Sequence, residues 1–179
     1  YKRKCDLCHE EKILMYAPDS PYTVYCPQCW WSDKWDPLDY GLDYDFNRPF
    51  FEQYHELWRK VPLLGLSIDT PSSQTSPYTN HAGHLKNGYL LFHADFCEDS
   101  AYGFFHFHTK SVFDSSAVMV SELCYDMMNT YKSNHCIGGR NQVAESLDCA
   151  FIRDAQGCQN CFGSANIRNQ KYQFFNKQL

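Results

Sequence analysis

Two Cys-x-x-Cys pairs, Cys5/Cys8 and Cys26/Cys29, are separated by 17 residues near the start of the chain. Each pair closes a tight knuckle that aims two sulfurs at one point, and two facing knuckles complete a tetrahedron. A four-thiolate set has no open position for a substrate water, so the expected chemistry is structural zinc rather than catalytic zinc. A redox pair and a disulfide framework are the competing readings. Redox motifs of this type stand singly beside a βαβ pattern, which is not visible here. Disulfide-dense folds are usually shorter than this chain. His9 adjoins Cys8 and could replace one thiolate, but a full set of four cysteines makes it unnecessary. Residues 1–30 are too few to bury a core unaided. A structural zinc contributes about 10–16 kcal/mol of apparent folding free energy in small domains.

The elements that position these thiols read as a zinc ribbon over residues 1–30. Ile13–Tyr16 and Tyr22–Tyr25 are expected as two strands around the turn Ala17–Pro21, a hairpin that delivers the second knuckle. Residues 31–85 follow as an aromatic and acidic segment. Asp33, Asp36, Asp39, Asp43 and Asp45 alternate there with aromatics without an EF-hand pattern, so they read as caps and solvated loop carboxylates. Asn47 is expected to cap a helix over about 48–60, with Phe50, Phe51, Tyr54, Leu57 and Trp58 on a core-facing stripe. A polar connector over 67–85 completes the segment, and Asn80-His81-Ala82-Gly83-His84 within it lacks the flanking elements of a nuclease site.

Residues 86–179 repeat in blocks of about twelve. A residue recurs three places before an anchor in Lys86-x-x-Tyr89, Asp99-x-x-Tyr102, Ser111-x-x-Asp114, Ser121-x-x-Cys124, Ser133-x-x-Cys136, Ser146-x-x-Cys149, Cys158-x-x-Cys161 and Asn169-x-x-Tyr172. Such blocks suit one short strand and one turn, so the fold class expected is mainly β: a zinc ribbon, one amphipathic helix and a short parallel β-solenoid. Two blocks, about 24 residues, would form one coil, placing Cys124 over Cys149 and Cys136 over Cys161. Interior cysteines pack as small hydrophobes. The sharper alternative is a second metal site made from Cys158 and Cys161 with Cys149 or Cys136. His93 and His106 share a block position, as do Arg140 and Arg153, and equivalent positions would form a surface column able to bind an anion or a partner.

Net charge is −5 and no apolar run reaches a membrane span. Neither general attraction to nucleic-acid phosphates nor a transmembrane role is therefore expected. Persistent thiolates favour a reducing, cytoplasmic compartment, with an assembled particle as another setting.

The segment Cys5-Asp-Leu-Cys8, the run from Tyr16 to Gly41 and the block Gly157-Cys-Gln-Asn-Cys-Phe-Gly163 resemble proteins of Parcubacteria-type candidate-phyla bacteria, some labelled caib/baif family. Phe50–Gln53, Tyr78–Asn80, Glu122–Tyr125 and Gln173–Lys177 extend the resemblance along nearly the whole chain. It implies a zinc head followed by cysteine-bearing repeats and brings no activity with it. Members are usually longer, with further zinc-ribbon-like segments after the repeat, and carry more repeat cysteines. No residues here support the coenzyme A transferase that the label suggests.

The function expected is a non-enzymatic, zinc-stabilised structural or protein-interaction module. A protein partner or a second copy would meet it at the C-terminal solenoid edge, where Tyr172, Phe174 and Phe175 cluster. A nucleic-acid-binding zinc ribbon is the alternative, disfavoured by the charge. A β-solenoid carbohydrate-active enzyme is the second alternative. It would need two of Asp95, Glu98, Asp99, Asp126, Glu145, Asp148 and Asp154 to meet on one face.

Overall fold

A computed structural model of the chain describes residues 1–179. The chain divides into two compact units, Tyr1–Ser67 and Ile68–Leu179.

In the first unit β1 (Lys2–Lys4) pairs antiparallel with β2 (Glu11–Ile13), and β3 (Val24–Tyr25) leads into the short helix α1 (Pro27–Trp30). Helix α2 (Phe50–Lys60) is followed by β4 (Leu63–Leu64), which pairs parallel with β3. The hairpin expected between Ile13–Tyr16 and Tyr22–Tyr25 does not form: the strand entering the second knuckle takes its partner from the segment after α2. Gly65 makes this possible. A Cβ there would lie 2.8 Å from Leu14 Cδ2 and 2.9 Å from the Tyr25 carbonyl.

Two expectations about α2 are corrected. Pro49, not Asn47, precedes the helix, and no side chain caps it; Asn47 instead donates to Asp45. The aromatic stripe is not core either, since Phe50, Phe51, Tyr54 and Trp58 are exposed. The buried helix residue is Gln53, whose amide bonds the Asp45 and Arg48 backbone and fixes the incoming loop.

The second unit is a parallel β-solenoid of seven strands in sequential order. They are β5 (Asn80–Lys86), β6 (Tyr89–Glu98), β7 (Ala101–Tyr125), β8 (Met128–Tyr131), β9 (Arg140–Ala144), β10 (Arg153–Gln156) and β11 (Ala165–Arg168). A final hairpin, β12 (Gln173–Phe174) with β13 (Lys177–Gln178), follows. Parallel pairing starts before residue 86, with Ile68 bridging Ala82 and Asn80 opposite Phe92.

The register gives the coil length. Tyr89 lies over Ala101 and Ser116 under Met128, so one block of twelve residues makes a whole coil, not half of one. Within each coil the burial period is three. Leu85, Leu91, Ala94, Cys97 and Ser100 point inward, and the residue before each inward position adopts a left-handed conformation, as at His84, Leu90, His93, Phe96 and Asp99. Each left-handed residue turns the chain, and four turns close a four-sided coil. Four side chains per coil fill the interior, and a side chain inside one coil packs on its counterparts above and below.

Tight corners leave carbonyls facing inward, and small polar interior residues satisfy them. Ser100, Ser121, Cys124 and Cys149 each donate to the carbonyl two residues earlier. Ser100 and Ser121 also accept from the next coil, at Val112 N and Ser133 N. The recurring Ser-x-x-Cys is therefore one side of the coil, running from one interior corner to the next, and its residue types follow from this hydrogen bonding.

Candidate functional site

The first knuckle closes through His9 N donating to the Cys5 carbonyl at 2.9 Å, with His9 itself in a left-handed conformation. Cys26 precedes α1 and Cys29 lies within it, so one helical turn sets the spacing of the second knuckle. Asp6 ties the knuckles together: its backbone N donates to the Val24 carbonyl, and its Oδ2 accepts from Val24 N at 2.7 Å. Arg3, itself buried, binds Asp6, the Ala17 carbonyl and Ser20 Oγ. The role of Arg3 depends on the Ala17–Tyr22 turn folding back over it, and no residue pattern announces that.

The sulfurs of Cys5, Cys8, Cys26 and Cys29 all lie within 4.8 Å of one another, and this is the one group of three or more metal-ligating side chains that the fold brings together. Sulfurs at the vertices of a tetrahedron with bonds of about 2.3 Å stand just under 4 Å apart, so the cluster suits a four-coordinate, thiophilic ion. Cys26 N donates to Cys5 Sγ at 3.2 Å, a contact that favours a thiolate there. Burial pushes the Cys5 thiol up, but backbone hydrogen bonds at Cys8, Cys26 and Leu7 outweigh it and bring it down to about 7. Burial raises Cys26 and Cys29. His9 is exposed and stands outside the cluster. Beside the second knuckle Trp35 packs edge-on against Tyr25 and at a tilt against Trp30, with the Trp35 indole donating to the Trp30 carbonyl.

The remaining cysteines occupy the solenoid interior. Cys124, Cys136, Cys149 and Cys161 form one column, linked by backbone bonds from Tyr125 N to Cys136 O, Ile137 N to Cys149 O and Ala150 N to Cys161 O. Cys158 belongs to a neighbouring column with Ser146, through Leu147 N to Cys158 O. Cys136, Cys149, Cys158 and Cys161 therefore do not converge on one point. Hydrogen bonding to Cys124 pushes Cys136 up to about 11, the bond to Cys136 pushes Cys149 up, and burial raises Cys158 and Cys161. These are protonated thiols bonded to carbonyls, packed as small hydrophobes.

The four residues expected as a surface column separate. His106 is fully buried, with Nε2 donating to the Ser115 carbonyl at 2.9 Å and Nδ1 unpartnered. His93 stays on a corner, stacked 5.1 Å from Phe105. They are 13 residues apart on a 12-residue coil, so the second falls one place inward. Arg140 and Arg153 are also 13 apart yet lie in register, because the β9 corner holds an extra residue between Arg140 and Val143. Arg140 binds Asp126 and Arg153 binds Asp154. Beside this bulge Gln142, Asp154, Gln156, Asn166 and Arg168 line a polar hollow of about 310 Å³.

Six of the seven acids weighed for a glycosidase pair are tied to other side chains: Asp95 to His84, Asp148 to His135, Glu98 to Lys86 and Lys110, Asp99 to Asn87, Asp126 to Arg140 and Asp154 to Arg153.

The four sides differ in chemistry. One carries the Lys86–Glu98–Lys110 ladder and is polar there. The next, following the cysteine column, carries an apolar column: Tyr89, Phe113, Tyr125, Ile137, Phe162 and Phe174 point outward along it, each exposed, with Asp114 and Asp126 at its corner.

The chain matches no protein-family model and no curated protein. No helix is long and apolar enough to cross a membrane.

Proposed function

We propose that the chain is a non-enzymatic structural or protein-interaction module, with zinc at Cys5, Cys8, Cys26 and Cys29 clamping the first unit and the solenoid offering its apolar side to a protein. One observation carries this reading: an exposed column of Tyr89, Phe113, Tyr125, Ile137, Phe162 and Phe174 runs the length of the solenoid, and extended exposed apolar surface marks an interaction site. A closed thiolate set supports a folding role for the metal, because all four positions are taken by protein. The net charge of −5 disfavours nucleic acid as the partner.

The test is the native particle. In extracts that preserve complexes, the full chain should elute in an assembly larger than a monomer, with about one zinc per chain. A monomer in extract, or salt-sensitive retention on single-stranded nucleic acid, would overturn the reading.

A further inference from the structure

The apolar side has a symmetry of its own. Ala101, Tyr125 and Ala150 occupy one outward column, with each alanine two coils from Tyr125. On the adjoining corner, Tyr102 and Phe151 project beside those alanines. Farther out, Tyr78, Tyr89 and Tyr102 form an edge-on zigzag, with ring centroids 5.7 and 5.6 Å apart. Phe151, Phe162 and Phe174 form a counterpart zigzag at the other end, edge-on at 5.5 Å and stacked at 5.7 Å. Large and small residues therefore read nearly the same in both directions from Tyr125.

We infer that this side is an isologous interface between two copies of the chain, packed face to face with solenoid axes antiparallel and a two-fold axis passing by Tyr125. This inference rests on the interaction reading above and names its surface and partner. A two-fold axis along the strands sets Tyr102 against Phe151 of the second copy and Ala101 against its Ala150, so rings fill the space beside small residues. The parallel alternative sets Tyr125 against Asp126 and Phe113 against Asp114, burying carboxylates under rings. In the antiparallel pair Asp114 faces Gly138, and the one carboxylate pair brought together is Asp126 with its counterpart, each already bound by its own Arg140 at 2.6 Å.

Area supports the same occupant. About ten aromatic and aliphatic side chains, each near half exposed, offer on the order of 1,000 Å², against the ~800 Å² per partner of a stable interface. A flat polysaccharide would need coplanar rings, and both zigzags contain edge-on contacts.

Sedimentation of the purified, zinc-loaded full chain should give a dimer at micromolar concentration. Tyr102→Glu and Phe151→Glu should each weaken it at least tenfold while leaving the circular dichroism unchanged, since both side chains are exposed. Under mild oxidation Tyr125→Cys should cross-link to itself, whereas Tyr102→Cys should cross-link only when mixed with Phe151→Cys. A monomeric purified chain overturns the inference, as does a dimer indifferent to both Glu variants or a Tyr102→Cys that cross-links to itself. If the purified chain is monomeric while the extract holds a larger particle, only this inference falls and the interaction reading stands.

Discussion

Gly103→Ala tests the interior packing most directly. A Cβ built at Gly103 lies 2.5 Å from His106 Nε2 and 2.9 Å from Nδ1, so the methyl and the imidazole compete for one space. The ring is rigid and fully buried, and it holds the Ser115 carbonyl through Nε2. Displacing it incurs an overpacking cost of about 1–3 kcal/mol and the loss of a hydrogen bond worth about 1 kcal/mol. A destabilisation of about 2–4 kcal/mol is expected from these two effects together. Gly139 is the control: its Cβ would meet the flexible end of Met127, whose Sδ lies at 2.9 Å, so Gly139→Ala should cost about 1 kcal/mol.

The same pair supplies a rescue. His106→Val alone leaves a gap over Gly103, whereas Val118 and Val143 already fit the same interior column. In the double variant the alanine methyl fills the gap, so the two changes should couple favourably by about 1.5 kcal/mol or more. Urea unfolding followed by circular dichroism gives all four corners of the cycle. A Gly103→Ala variant within about 0.5 kcal/mol of the parent, or strict additivity with His106→Val, would refute the account of how glycine and histidine share the interior.

Metal removal should act on one unit. All four tryptophans, Trp30, Trp31, Trp35 and Trp58, lie in Tyr1–Ser67, so chelation should red-shift the tryptophan emission while the solenoid's β-sheet dichroism persists; simultaneous loss of both signals would contradict this. Burial lowers the pKa of His106, so the unfolded chain takes up a proton first as pH falls; stability should decline below about pH 6.5 and go on falling until the folded histidine titrates. That component should vanish in His106→Val, measured as the difference between the two denaturation midpoints across pH. Val120, exposed at φ 51°, should yield about 1 kcal/mol of stability on Val120→Asn, because asparagine tolerates the left-handed corner; an unchanged midpoint would show that the corner is not strained.

Different parts of the molecule were readable for different physical reasons. A metal cluster needs few residues at close spacing, so the two Cys-x-x-Cys pairs are visible in the chain itself. Their scaffold is not, because Asp6 and Arg3 act through backbone carbonyls that any residue type can supply. In the solenoid, the twelve-residue repeat was visible through Ser-x-x-Cys, which spans successive interior positions of one coil. Tyr89, Tyr102, Asp114 and Tyr172 were misplaced as anchors because they point outward, and the positions that continue the cysteine column are Ser100, Val112 and Gln173. Coil length was misjudged for a related reason. A strand with a helix-free turn suggests two sides per coil, whereas a left-handed residue every third position makes four. A usable signal existed: from Thr79 to Gln173, stepping by three with one extra residue before Val143, no interior position is Asp, Glu, Lys or Arg. It is easily overlooked because the permitted residues range from Gly and Ser to Met and His, and the corners before them, where Asn, Asp and Gly would mark a turn, often carry Phe, Tyr or Leu. Four of them, Leu90, Tyr102, Phe151 and Phe175, lie on the corner of the apolar side. The irregularity that hides the repeat is thus in part the feature that puts rings on the solenoid's outer surface: a corner rich in Asn and Gly would be easier to read and would present no rings.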